Sequence, residues 1–313
     1  MNPNAPQPIV LKYQLGERIL FRHTFQLTVV EHPLGQLLDQ PPHSTTSSSS
    51  LPKDGDGVLF RGLPMPKHPG RPAIGDRGVL YVPSHYQRHY IDLSGSFGDY
   101  LQGFSAKSRS TLKRKVKAFG QFSGGEIRWQ LYRKAEEMDV FYRLAREISA
   151  ITYQERLLDV GLPEGIEFLK NLQIQARGGK VWGAILFHGE KPVSYLHLPI
   201  HDGVMLYRHL GFHPDYRRHS PGTVLQYLVL EQLFEKPYEP AIRWFDFTEG
   251  EGEHKRFFGN GRIPSGNLFL LKPTFKNAVL TLSHAGLEGL SKWLVGLLER
   301  FGIKERVKRF FRR

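Results

Sequence analysis

Three short stretches of the chain hold residue types able to do chemistry. The first reads Tyr216-Arg217-Arg218-His219-Ser220-Pro221-Gly222-Thr223. Ser220 suits a helix cap, Pro221 the first helical position, and Gly222 leaves room for close approach. Free N–H groups at such a helix start, with Arg217 and Arg218 beside them, favour an anion. The same turn serves equally well as a plain helix start. The second stretch is Phe245-Asp246-Phe247-Thr248-Glu249-Gly250, followed by His254-Lys255-Arg256. An acid inside so aromatic a strand needs a partner, and Lys255 is the expected one if a short helix folds back over the strand end. A structural Asp–Lys pair is one reading. The other is that Asp246 or Glu249 accepts a proton from an attacking amine or hydroxyl. The third stretch, Ser149 to Leu158, ends a helix in polar groups that its apolar stripe does not explain. Tyr207 and His209 alternate on one strand face where a cleft wall would lie, although a lone strand histidine also fits a structural role.

These residues require a particular series of elements. Residues 1–93 read as short strands (Phe25 to Val30, Gly57 to Arg61, Gly78 to Val82, Arg88 to Leu93), with a Ser/Thr/Pro-rich loop near 40–52. A basic helical stretch runs from Phe97 to Phe119, and the glycines at 124 and 125 mark a domain boundary. Beyond it the pattern predicts a strand at Ile127 to Tyr132, helices over Ala135 to Thr152 and Pro163 to Ala176, and an antiparallel meander of Val181 to Phe187, Val193 to Ile200 and Met205 to Gly211. A helix at Ser220 to Phe234, a strand at Ile242 to Thr248, a short helix at Gly252 to Phe258 and a strand at Asn267 to Leu271 complete it. The expected domains are 1–124, 125–273 and a basic amphipathic helical tail, 274–313. In that tail Leu287, Leu290, Leu294, Leu297 and Phe301 form one seam.

Composition narrows the classes. The 313 residues are 40% hydrophobic and 23% charged, enough apolar side chain for packed domains and against a disordered chain. Cysteine is absent, which excludes thiolate catalysis, disulfides and sulfur-ligated zinc, and no metal is expected. No apolar run reaches the ~20 residues of a membrane span, and a cytoplasmic protein is expected. The net charge of +13 favours an anionic partner. Most of it sits in Lys107 to Lys117, with six basic residues and no acid, and in Glu299 to Arg313, with seven basic residues against two acids. The remainder is close to neutral, which argues against a general nucleic-acid coat. The tail suits packing on the protein, an anionic membrane surface through 287–313, or another helix.

Several features together resemble one family. They are Phe104 to Lys115, Thr152-Tyr153-Gln154, Tyr207 to Gly211, Ser220-Pro221-Gly222, and Asp246-Phe247-Thr248 with Gly250 and Lys255. Their order over about residues 90–272 is similar to the GNAT acyltransferases of the CelD and FemAB-like branch, which are bacterial and often tied to exopolysaccharide or cell-envelope synthesis. The resemblance implies an α+β fold of tandem GNAT-like domains, the first degenerate, with a mixed, mostly antiparallel sheet flanked by helices. It implies acetyl-CoA or another acyl-CoA held at Arg217, Arg218, Ser220, Gly222 and Thr223. Ser220 replaces the first glycine of the family's phosphate-binding turn. Direct transfer to an amine or hydroxyl of an envelope-related small-molecule or glycan-precursor acceptor would follow, with Asp246, Glu249, His209 and Lys255 as catalytic candidates. Tyr153, Gln154, Tyr207 and Lys255 would bind the acceptor. Two alternatives remain: FemAB-like transfer from aminoacyl-tRNA, with Lys107 to Lys117 as the tRNA contact but no coiled-coil arm in evidence, and a non-catalytic membrane-associated scaffold of a polysaccharide synthase.

Overall fold

The computed structural model describes residues 5–16, 18–39, 51–152, 161–235 and 241–300. In chain order the elements are strands β1 (Gln7–Leu15) and β2 (Arg18–Glu31), helix α1 (Leu34–Asp39), and strands β3 (Gly57–Pro64), β4 (Ala73–Gly75) and β5 (Gly78–Asp92). Next come α2 (Phe97–Gln102), α3 (Ala106–Phe122), β6 (Trp129–Tyr132), α4 (Met138–Ala150) and α5 (Ile166–Arg177). Strands β7 (Val181–His188), β8 (Lys191–His201), β9 (Val204–Leu206) and β10 (His209–Phe212) lead into α6 (Pro221–Glu235). The chain continues through β11 (Trp244–Asp246), α7 (Glu253–Phe258), β12 (Gly261–Leu271) and α8 (Phe275–Arg300). The fold class is α+β, a mixed and mostly antiparallel sheet architecture flanked by helices.

Two compact units result. One comprises Met1–Gln87 and Ile263–Arg313, the other Arg88–Arg262. The divisions therefore fall inside β5 and β12, not at the glycines near 124. Those glycines, with φ of 88° and 109°, only end α3, where Gly125 N–H donates to the Gly120 carbonyl at 2.8 Å. Helix α3 stays in the second unit because Leu112 and Phe119 are buried in its core.

In the second unit the end of β5 pairs with β11 antiparallel, β11 with β9 parallel, and β9, β8, β7 and β6 follow antiparallel. Nine consecutive residues of β8, Pro192 to Ile200, are buried, as expected for a strand covered on both faces. On one face lie α2, α3 and α6, packed through Tyr100, Leu112, Phe119, Leu225 and Val229. On the other lie α4 and α5, packed through Phe141, Ile148, Leu169 and Leu172. In the first unit β1 pairs antiparallel with β2, β2 parallel with β3, and β3 antiparallel with β12. Helix α8 covers that sheet, with Ala278, Leu280, Ala285 and Leu287 against a core of Phe25, Leu27, Leu59 and Phe269.

Three expected elements differ. The segments Gly78 to Val82 and Arg88 to Leu93 belong to one long strand, β5, while Met205 to Gly211 is divided into β9 and β10. The tail seam is also divided: Leu287 packs inward and Leu290 is 47% exposed. Residues 44–50 and Phe301 lie outside the described residues.

Close packing fixes the spacing of helix and sheet at Gly183 in β7. A Cβ there would stand 2.4 Å from the Phe141 ring of α4. Gly183→Ala is expected to destabilise the protein by about 1–3 kcal/mol through overpacking, read as a lower urea midpoint with an unchanged m-value.

Candidate functional site

The sheet of the second unit opens beside β9. Strand β8 pairs through its far residues with β9 (Ile200 with Met205) and through its near residues with β10 (His197 with His209). Strand β11, with β5 on its other side, pairs here with β9. The last bond between them runs from Tyr207 N–H to the Asp246 carbonyl at 2.8 Å, after which β10 stays on β8 and β11 ends. Among the described residues no pairing joins β10 to β11, so a gap opens between them at Tyr207 and Asp246.

Helix α6 begins just after β10. A short 3-10 turn, Pro214–His219, carries Arg217 and Arg218, both exposed. Ser220 then takes a left-handed conformation, φ 51° and ψ 46°. This is the geometry glycine adopts without strain, and Ser220 stands where the resembled turn has glycine. Gly222 is packed against β10: a Cβ there would lie 3.2 Å from Leu210 Cδ2. Its small size leaves room for that strand contact. Pro221 has no N–H and Val224 N–H already donates to the Ser220 carbonyl, so the N–H groups of Gly222 and Thr223 are the ones without an intrahelical acceptor. Two such donors at the positive end of a fifteen-residue helix, with two exposed arginines before them, form a chemically suitable cradle for a diphosphate.

Asp246 ends β11 with its side chain fully buried. Its partner is Arg88 of β5, not Lys255. Arg88 NH2 donates to Asp246 Oδ2 at 2.6 Å and Nε to Oδ1 and Oδ2 at 3.3 and 3.1 Å. Thr248 N–H adds a further bond to Oδ1 at 2.8 Å. Three donor groups, making four bonds, thus occupy the carboxylate, which fixes it in place and leaves it poorly placed to accept a proton from an acceptor. The bond to Thr248 also holds that β-branched residue at φ 60°, a costly backbone state that survives only where the surroundings impose it. Lys255, on α7, donates instead to the Glu249 carbonyl at 2.6 Å. Partial burial lowers the pKa of its ammonium, while the negative charges of Asp246 and Glu249 raise it. Glu249 is exposed on the turn that Asp246 holds.

Tyr207 and His209 do not line one wall, because the strand breaks between them. Tyr207 is buried among Phe245, Phe247 and His254, and that burial pushes its phenol pKa up. His209 stacks on His197 across β10 and β8, with ring centroids 5.4 Å apart. Sequence reasoning passed over His197. It is 4% exposed, and among the described residues neither ring nitrogen has a hydrogen-bond partner. Burial, with His209 and Arg208 nearby, lowers its pKa to about 3, and burial with Arg208 lowers that of His209 to about 4, so both rings are neutral near pH 7. The pairing needs the β8–β10 register, which no local motif announces. Arg88 was missed for a similar reason, being 158 positions from Asp246. Tyr153 and Gln154 lie outside the described residues; the preceding Thr152 is buried and donates to the Ser149 carbonyl at 2.8 Å.

The comparisons bear on this unit. Residues 106–256 match the family described as acetyltransferase (GNAT) domain. Over that segment the chain is GNAT-like. The GNAT-like segment contains the β10 and β11 strands that border the gap and the α6 turn. No curated protein matches the chain. Among solved structures, FemX aligns at 11% identity over 89% of this chain and 91% of its own, with a TM-score of 0.48. The C-terminal domain of a putative lysylphosphatidylglycerol synthetase from Agrobacterium fabrum aligns at 11% identity over 74% and 72%, with a TM-score of 0.46. A tandem GNAT protein from the clavulanic acid biosynthesis pathway aligns at 11% over 68% and 62%, with a TM-score of 0.35.

Two outcomes follow from the buried charges. Arg88→Ala should cost about 3–5 kcal/mol by stranding the Asp246 carboxylate, and adding Asp246→Asn should recover much of that loss, both read by urea denaturation. His197 and His209 have folded pKa values of about 3 and 4, below the ordinary 6.5 of the unfolded chain. The unfolded state therefore binds more protons on acidification. Their contribution is complete above pH 6.5 and declines as the pH falls toward 4, and His197→Phe should flatten part of that decline in urea midpoints.

Proposed function

We propose that the GNAT-like segment is an acyl-CoA-dependent acyltransferase, with acetyl-CoA the first donor to test, acting on an amine or hydroxyl of a cell-envelope or exopolysaccharide-related acceptor. The observation that carries this reading is the gap between β10 and β11, with the α6 start and its two arginines just beyond β10. A bound donor would supply an activated thioester acyl group. The N–H groups of Gly222 and Thr223, with Arg217 and Arg218, would hold its diphosphate. In the direct transfer, the acceptor nitrogen or oxygen bonds to the acyl carbon as the carbon–sulfur bond breaks, and the acceptor proton leaves to a base. Glu249 is the better candidate base, because the Asp246 carboxylate is occupied by Arg88 and Thr248.

In this reading Asp246 is a positioning residue, holding the Thr248–Gly250 turn on which Glu249 sits. His197 and His209 offer neutral donors and acceptors toward a hydroxyl- or amine-bearing acceptor, and Lys255 suits an acidic group on it. Tyr153 and Gln154 would complete that side from the segment after α4. The first unit is read as a degenerate second GNAT-like module. A cytoplasmic site of action fits, and among the described residues no helix is long and apolar enough to cross a membrane.

One observation favours the aminoacyl-tRNA alternative. Arg109, Lys113, Arg114 and Lys117, with Ala106 and Ser110, line an open basic recess of about 560 Å³ on α3. Calorimetric titration with acetyl-CoA separates the two. Binding by the protein, weakened roughly tenfold or more in Arg217→Ala/Arg218→Ala, is expected from loss of two charge-assisted phosphate contacts. No binding of any acyl-CoA by folded protein, together with strongly salt-dependent tRNA binding, would replace the acyl-CoA reading with the tRNA one.

A further inference from the structure

Helix α8 has two different faces. Its inner face is pinned to its own sheet by buried polar contacts: Tyr81 OH to His284 Nδ1 at 2.5 Å, His284 Nε2 to the Lys12 carbonyl at 3.2 Å, and Tyr13 OH to the Leu280 carbonyl at 2.9 Å. Asn277 and Thr281 are buried on the same side. The outer face is apolar and, among the described residues, uncovered. Phe275 is 86% exposed, Val279 46%, Leu282 47%, Leu290 47% and Trp293 61%. These five recur at helical spacing from Phe275 to Trp293, nineteen residues and about 27 Å of helix. This stripe is not the seam that spacing alone suggested, since Leu287 of that seam faces inward.

Basic charge surrounds the stripe. Lys276 and Lys292 are exposed on α8, and Glu288 lies 3.6 Å from Lys292. From Lys272 to Arg313 the sequence carries ten Lys or Arg against three Glu, and seven of the ten lie at or beyond Arg300. A helix with an aromatic and aliphatic face, flanked by lysine and followed by a polybasic segment, has the makeup of one that lies in the plane of an anionic bilayer surface. Trp293 suits the headgroup level, where a ring with one polar edge is favoured.

We propose that α8 is a peripheral membrane-binding helix, its Phe275 to Trp293 stripe entering the interface of a bilayer containing anionic lipid while Lys276 and Lys292 beside it engage the headgroups. A second copy of the chain fits the same face poorly. Gly286 and Gly289 stand in the middle of the stripe with no neighbour within 4 Å of a Cβ, so they supply no knobs for a facing helix. The two basic tails would also repel. A lipid surface demands neither knobs nor complementary shape.

The test uses the full chain, floated with phosphatidylcholine vesicles with or without phosphatidylglycerol. Retention on the anionic vesicles should exceed that on neutral ones by roughly tenfold or more and weaken at high salt. Leu282→Ser/Leu290→Ser/Trp293→Ser should abolish it without changing the melting temperature, because all three side chains are exposed. Removing residues 301–313 should weaken it while leaving the stripe intact. Equal recovery in the supernatant with both vesicle types, or full binding by the triple variant, would overturn the proposal. So would a dimer in sedimentation velocity that the triple variant dissociates, since the stripe would then be a contact between copies.

Discussion

A buried guanidinium–carboxylate pair organises the second unit. Arg88 and Asp246 join the end of β5 to the end of β11, and neither charge has enough water around it to stand alone. Burial of such a pair is often close to neutral for stability against an apolar substitute, but removal of one member is severe. What the pair contributes is position. By holding Asp246 it also holds the Thr248 backbone in a state that a β-branched residue otherwise avoids. The direction of the turn that carries Glu249, and the bond from Lys255 to that turn, both depend on it.

The same strand end decides where the sheet opens. β11 accepts a bond from Tyr207 N–H through Asp246 and then leaves the ladder, while β10 continues on β8. One side of the opening meets the N-terminus of α6, with exposed arginines and two N–H groups that lack intrahelical acceptors. On β8 and β10 a stacked histidine pair is kept neutral by burial. Among the described residues the buried ring nitrogens of His197 have no hydrogen-bond partner, a costly arrangement in a packed interior.

Charge is segregated along the molecule in a way that matches two kinds of surface. The second unit exposes a basic face on α3. In the first unit, α8 combines apolar exposure with the strongly basic end of the chain. The first is set by clustered Arg and Lys side chains on one helix and the second by a row of exposed large apolar side chains, so the two surfaces differ in what they can retain. A polyanion in water needs only the first, whereas an interface between water and hydrocarbon rewards the second.

Much of this was legible in the sequence, for physical reasons. Runs of buried apolar residues marked β7 and β8, three-and-four spacing marked α4, and Ser220-Pro221-Gly222 marked the start of α6, because each of these signals is local. The residue types at 217–223 and 246–255 raised the expectation of phosphate binding and proton transfer, which enters the proposed function. Contacts between distant segments were not legible. Lys255 was the nearest cation to Asp246 along the chain, yet Arg88, far away in sequence, is the one that the β5–β11 pairing brings to it. Tyr207 and His209 shared a face on paper, but the break between β9 and β10 sends them to different surroundings, and only the β8–β10 register sets His209 on His197. By itself the sequence determined which elements form and which residue types can act. Tertiary structure alone decided which charge neutralises which, and where the sheet parts, because strand pairing and burial depend on neighbours that the linear order does not name.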